Sequence, residues 1–395
     1  MQPFRSRMVA RDVGEPHRAS SPLELLFDLT FVAAVSQIAG QLAHATEEGH
    51  VGGDVLPFLM VFFAIWWAWM NFTWFASAYD TDDVPYRVMT FVQMAGVLVL
   101  AAGVPDAFDG DFTTVTIGYL VMRVGLVGLW LRAAIGHPET RATTLRYAAG
   151  VSLLQVLWLS RLALPGDGPA WTFPLLVVLE LSVPTIAERA GKTTWHPHHI
   201  AERYGLFTII LLGESVLAST NAVQDAVEHG LSRELVTVAL AGLAILFALW
   251  WIYFAEPAGE GLAARRELSF VWGYGHYVIF AALAAVGAGL EVAVVSAGGD
   301  HVEADEQTVI AAVAVPIAVV LVMLWVLHAP LRRPTARPEL IGITAVLTLL
   351  TTFAAPGIGV AASLVVLAAL LALLVAATIV TGRPERTERT EARPA

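Results

Sequence analysis

The chain alternates long apolar runs with short polar breaks. Runs long enough to cross a bilayer fall at 22–44, 54–76, 87–104, 113–134, 144–163, 170–188, 200–220, 234–255, 268–294, 307–328, 338–355 and 358–381. They predict an all-α integral membrane protein of about twelve transmembrane helices. The breaks, such as TEEGHVGGD, AFDGD, LPGDGP, PAGEG and SAGGD, carry turn chemistry. AAPGIG at 354–359 reads either as a tight turn or as a kink.

Basic residues mark alternate breaks. Arg5, Arg7, Arg11 and Arg18 precede the first run; Arg87, then Arg132, Arg141 and Arg146, then Arg189, Lys192 and Arg203, then Arg265 and Arg266, then Arg332, Arg333 and Arg337 follow, and Arg383, Arg386, Arg389 and Arg393 close the chain. The intervening breaks hold only Arg161 and Arg233, and Arg123 lies inside a run. Because cytoplasmic loops are enriched in Lys and Arg, both termini are expected in the cytoplasm. The arginine-rich tails at 1–18 and 383–393 read as solvated or headgroup contacts.

The two halves resemble each other. FFAIWWAWMNF at 62–72 recurs as LFALWWIYFAE at 246–256, LWLRAAIGHPETR at 129–141 as LWVLHAPLRRPTAR at 324–337, and RLALPGDG at 161–168 as TFAAPGIG at 352–359. This order predicts two parallel six-helix repeats related by an axis along the membrane normal. The parts are a tail at 1–21, a first half at 22–190, a linker at 191–198, a second half at 199–382 and a tail at 383–395.

HIAERYGLFTIILLGES at 199–215 is the stretch with the most chemistry. At 100° per residue His199, Arg203, Phe207 and Glu214 share one stripe, and Glu202, Leu206 and Gly213 the neighbouring one. Glu214 lies twelve residues beyond Glu202, about 18 Å along a helix. A carboxylate so deep costs on the order of 3 kcal/mol or more unless protonated, paired or wet. It reads as a proton or cation site, or as a neutral carboxyl tying helices together. SPLELLFDLTFVAAVSQ at 21–37 is its counterpart, with Glu24 and Asp28 one turn apart. Two such carboxylates need a proton, a metal or an arginine from another helix. If the first and seventh helices face one another, Glu24, Asp28, His199, Glu202 and Arg203 gather at one cytoplasmic-side site. Glu202 and Arg203 are then a gating or structural ion pair. Arg123 and Glu180 are natural partners for each other or for Glu214. His199 and Glu202 also have the spacing of a metal-ligand pair, set against a helix start meeting water; WHPHH at 195–199 reads as a solvated loop. The tryptophan clusters at 66–74 and 250–251 read as an interfacial belt or as packing, and His276 as a core histidine or a proton relay.

Composition agrees with the pattern. Of the 395 residues 57% are hydrophobic and 14% charged, against about a quarter charged in soluble domains; the mean hydropathy is +0.67. With no cysteine, disulfides and thiolate sites are excluded. No signal-peptide pattern precedes the first run. There is no phosphate loop, nucleophile elbow, His-Glu-x-x-His or basic aromatic face, so neither an enzyme, a cofactor nor a nucleic-acid partner is expected.

LELLFDLTFV at 23–32 and HIAERYGLFTIILLGE at 199–214 resemble the two hallmark blocks of the bacterial low temperature requirement A (LtrA) family. Leu26 stands where that family has a phenylalanine, and the charges are intact. The resemblance implies a multi-pass protein of the bacterial inner membrane and a link to growth at low temperature; its characteristic positions are Glu24, Phe27, Asp28, Phe31, His199, Glu202, Arg203, Gly205, Gly213 and Glu214. The charge-then-phenylalanine arrangement is also similar to a potassium-channel family with six-helix repeats, although its serine is missing in both blocks and Thr208 replaces an aspartate. The expected partners are the bilayer and a small cation or solute, whose permeation along spans one and seven the protein mediates or regulates. The competing expectation is a non-transporting protein whose charges stabilise the bundle.

Overall fold

The computed structural model describes residues 4–381 apart from 13, 16, 17, 229–231, 256, 300, 301 and 332–337. Arg332, Arg333 and Arg337, the 383–395 tail and the start of the acidic 300–306 stretch lie outside the described residues. Every apolar run folds as helix, and there is no strand among the described residues. The helices are α1 (Pro22–Thr30), α2 (Val32–Glu47), α3 (Val51–Tyr79), α4 (Val84–Ala102), α5 (Val104–Phe108), α6 (Thr113–Gly136), α7 (Arg141–Leu162), α8 (Thr172–Ala187), α9 (Pro197–Glu228), α10 (Arg233–Phe254), α11 (Gly259–Ala264), α12 (Ser269–Gly298), α13 (Glu306–His328), α14 (Pro338–Ile358) and α15 (Val360–Thr381).

Local chemistry explains the boundaries. Ser21 and Glu24 form a reciprocal capping box with Pro22 in the first turn of α1. Asp83, Ser232 and Asp305 cap α4, α10 and α13 through the backbone N–H groups of Tyr86, Leu235 and Thr308. His196 Nδ1 receives the His199 N–H at 3.3 Å where α9 begins, so WHPHH is part loop and part first turn. AAPGIG is a break of one residue, because Gly359 takes φ +82°, which a side chain would disfavour. At Gly118 an added Cβ would lie 2.4 Å from Leu100 N, so small residues set the close approach of α4 and α6.

Nine helical stretches among the described residues are long and apolar enough to cross a membrane: α1 with α2, then α3, α4, α6, α10 with α11, α12, α13, α14 and α15. Helix α8 is short at 16 residues, and α7 and α9 are diluted by charged and polar residues. Helices α12 and α3 form the interior, with 78% and 61% of their most apolar windows buried against 33% for α14 and α15. The two tryptophan clusters part company here. Trp66, Trp67 and Trp69 are 1% exposed or less, whereas Trp250 and Trp251 remain 45% and 46% exposed.

One end of the bundle is laced by arginines donating to backbone carbonyls at and between helix ends. Arg7 Nε reaches Gly136 O at 2.7 Å, Arg18 Nη2 reaches Ala76 O at 2.8 Å, and Arg266 Nη2 reaches Trp195 O at 2.7 Å. Arg18 is 6% exposed, which corrects the reading of the whole N-terminal tail as solvated. At the opposite, acidic end the Glu303 N–H donates to Glu47 O at 2.7 Å and ties the approach to α13 onto α2.

Candidate functional site: two buried charge centres

The first centre joins α1 and the start of α9 to the C-terminal half of α3. Arg203, fully buried, forks onto Asp28 through Nε at 2.8 Å and Nη2 at 2.5 Å, and Nη2 lies 3.3 Å from Thr73 Oγ1. Trp69 Nε1 donates to Asp28 Oδ1 at 2.7 Å. Glu24 Oε2 accepts from the Ser21 N–H at 2.7 Å. Its Oε1 stands 3.1 Å from Arg203 Nη1, 3.1 Å from His199 Nε2 and 3.5 Å from Arg18 Nη2. The first two of these contacts are at ion-pair distance without hydrogen-bond alignment. Three basic groups thus surround two carboxylates that would otherwise repel one turn apart. A bidentate fork is specific to arginine.

Sequence spacing finds four of these residues and misassigns one. Glu202 is exposed and accepts from the Ser20 N–H at 3.3 Å; it does not pair with Arg203. Consecutive residues on a helix point about 100° apart and do not face a common partner. The metal reading of His199 with Glu202 also fails: His199 Nε2 faces Glu24, and among the described residues no group of three or more His, Cys, Asp or Glu could hold a metal ion. Arg18, Trp69 and Thr73 were missed. The Ser21-x-x-Glu24 capping spacing was a legible sign that Glu24 turns back toward the chain before it.

The second centre lies inside the bundle of α3, α6, α7 and α8. Glu180 Oε2 receives Trp67 Nε1 at 2.8 Å and Arg123 Nη2 at 3.1 Å, and Oε1 receives Trp158 Nε1 at 3.1 Å and the Tyr119 hydroxyl at 3.3 Å. Arg123 also donates to the Tyr119 oxygen through Nη2. Its Nε and Nη1 have no hydrogen-bond partner among the described residues, nor has either amide atom of buried Gln155. Arg123 and Glu180 therefore pair with each other and not with Glu214.

Glu214 is 6% exposed, and its Oε2 has no hydrogen-bond partner among the described residues. Helices α2, α9 and α12 pack against one another, and half-buried Glu291 on α12 has Glu47 and Glu214 as ionisable neighbours. Between Glu214 and the first centre stand Phe31, Trp69, Phe207 and Phe280, each 0% exposed. The Phe207 ring lies 4.4, 5.1 and 6.4 Å from those of Trp69, Phe280 and Phe31. His276 is a bonded core histidine, its Nδ1 being 2.7 Å from Trp272 O.

Asp80, between α3 and α4, links the N-terminal segment to the first centre. It lies 3.7 Å from Arg11 and 3.8 Å from Arg18, with Glu24, Asp82 and Tyr86 as further ionisable neighbours. Burial, helped by Glu24, pushes its carboxyl up to about 6 against the pull of both arginines. A folded value above the unfolded one of about 3.9 means that the folded state binds the proton more tightly. The Asp80 contribution to stability therefore falls as pH rises from about 4 to 6. Asp80→Asn, which cannot ionise, is expected to melt higher than the parent at pH 7 and to converge with it near pH 4, checked by thermal melts in detergent across that window.

An all-helical bundle with several membrane-length helices around buried ion pairs is a multi-pass membrane protein. The family model described as bacterial low temperature requirement A protein (LtrA) matches residues 19–380, most of the chain, and the chain belongs to that family. The match takes in α1 and α9, the two helices that build the first centre. The protein named Uncharacterized protein RA0937, from Rhizobium meliloti (strain 1021), is 28% identical over 291 residues, or 66% of this chain and 66% of that one. The matched stretch thus spans just under two thirds of that relative's length. No solved structure matches the chain.

Proposed function

We propose that this LtrA protein moves a small cation, the proton included, across the bacterial inner membrane along the seam between α1–α2, α9 and α12. It acts without enzymatic chemistry, and we connect its activity with growth at low temperature, as the family name does. In this reading all twelve long helical segments cross the membrane as two parallel six-helix halves, with the arginine-laced end and both termini cytoplasmic. The observation that carries it is the layering along α9. Arg203, paired with Asp28 of α1, and the carboxylate of Glu214 lie on this one helix, separated by the aromatic plug around Phe207. A dry aromatic constriction between polar layers is a gate that opens by wetting, and intramembrane carboxylates serve as relays for protons and cations.

The test is flux through purified protein in liposomes under potassium, sodium and proton gradients in turn. Glu214→Gln keeps the size and hydrogen-bonding capacity of the side chain, so it is expected to fold normally and to lose at least tenfold in flux for the conducted ion. Absence of flux for all three ions, or unchanged flux in the variant, would overturn the proposal. A second reading has its own observation: Arg203 is fully buried between the carboxylates of Asp28 and Glu24, as expected of a lock that only holds helices together. In that case Glu214→Gln lowers the melting temperature and no gradient drives flux.

A further inference from the structure

Glu202 is turned away from the first centre and toward a separate cavity. Helix α9, the turn between α10 and α11, α12 and the end of α13 enclose about 350 Å³, within the range of metabolite sites. Tyr253, Phe254 and Trp272 form its aromatic walls, and Glu202 is its carboxylate. The long bond from the Ser20 N–H is the one hydrogen bond of that carboxylate among the described residues, which leaves acceptor capacity for a ligand. Trp272 is 2% exposed and its Nε1–H has no hydrogen-bond partner among the described residues, so a buried donor at the cavity lacks an acceptor. Gly205 keeps the space open: an added Cβ would lie 2.9 Å from Phe254 Cε1 and displace that ring.

Ring faces beside a carboxylate attract a cation with an apolar shell. A bare metal ion is poorly served, because no group of three or more His, Cys, Asp or Glu among the described residues could ligate it. We propose that this cavity binds a small, soluble organic ammonium ion that also carries a hydrogen-bond acceptor, an amino alcohol being the simplest. Glu202 is the counter-ion, the three aromatic side chains surround the ammonium group, and Trp272 Nε1–H donates to the acceptor. The site is independent of the cation pathway, since equilibrium binding needs no flux. The ethanolamine headgroup of a phospholipid carries the same chemistry, and the experiment separates the two sources.

Binding of choline chloride is measured by equilibrium dialysis on the full chain in nanodiscs of phosphatidylglycerol alone. His198 and His328 also line the cavity, and every variant is compared at one fixed pH. Saturable binding at one site per chain is expected, not displaced by equal sodium chloride, and a few-fold tighter than for tetramethylammonium, which lacks the acceptor. Glu202→Gln and Gly205→Val are each expected to weaken it at least tenfold, whereas Glu234→Gln, in the first turn of α10, leaves it unchanged. Displacement of choline by added phosphatidylethanolamine would assign the site to the lipid headgroup and overturn the soluble ligand. No saturable binding in phosphatidylglycerol discs, or wild-type binding by a folded Glu202→Gln protein, would overturn the site itself.

Discussion

Arg203→Met is expected to destabilise the protein by about 3–5 kcal/mol, the usual consequence of removing one partner from a buried ion pair. Arg203 is fully buried and holds Asp28 through two hydrogen bonds while standing 3.1 Å from Glu24. Without it, Asp28 keeps only the Trp69 indole, and Glu24 keeps Ser21, His199 and Arg18. Two buried carboxylates one turn apart then face each other with less opposing charge. Arg203→Lys is expected to recover little, because a point charge cannot reproduce the planar fork. Asp28→Asn added to Arg203→Met should recover much of the loss, since neutralising both partners removes the stranded charge. Thermal melts of the four proteins in one detergent decide it. Wild-type melting of Arg203→Met would show that the centre does not hold α1 to α9.

The sequence announces this centre by helical spacing but not by partner. Glu24 and Asp28 one turn apart, and His199, Arg203 and Phe207 on one stripe, were legible because periodicity survives without tertiary information. The same arithmetic separates Glu202 from Arg203 by about 100°, so their assignment to different sites was within reach of the angles alone. The fate of the tryptophans was not. Trp67 and Trp69 are buried with their indole N–H groups donating to Glu180 and Asp28, and Trp66 is buried beside them with no hydrogen-bond partner for its own among the described residues. Trp250 and Trp251, the tryptophan pair of the matching stretch, stay half-exposed. The partners of Trp67 and Trp69 lie 113 and 41 residues away in the chain, and no local pattern encodes them. Arg18 was hidden for a related reason: an arginine in a polar tail reads as solvated unless the carbonyls of Ala76 and Ser77 are known to await it. Membrane-length helices were the most legible feature, since apolar length is a direct property of sequence. The one-residue break at Gly359 was less so, because Pro356 continues the helix instead of ending it.

Glu180→Leu is expected to destabilise the second centre more than Arg123→Leu does, by about 3–5 against about 1–3 kcal/mol. The two partners are nearly equally buried, at 1% and 2% exposed, so burial alone predicts no difference. Their remaining contacts do. Without Arg123, Glu180 still receives Trp67, Trp158 and Tyr119, and a carboxylate can also take up a proton. Without Glu180, Arg123 retains the Tyr119 oxygen and the face of its ring, 4.4 Å from the guanidinium carbon. Its Nε and Nη1 already lack hydrogen-bond partners among the described residues, and a guanidinium cannot shed its charge. The double variant is expected to be more stable than Glu180→Leu alone, giving a coupling of opposite sign to the single losses. A double-mutant cycle by denaturant unfolding measures all three terms, and the reverse order of the single variants would mean that unseen partners, water or an anion, satisfy Arg123. The same proteins bear on transport: because the proposed pathway runs along α9, flux per folded molecule should survive Arg123→Leu. Its loss in a folded Arg123→Leu protein would move the path into the first half of the bundle.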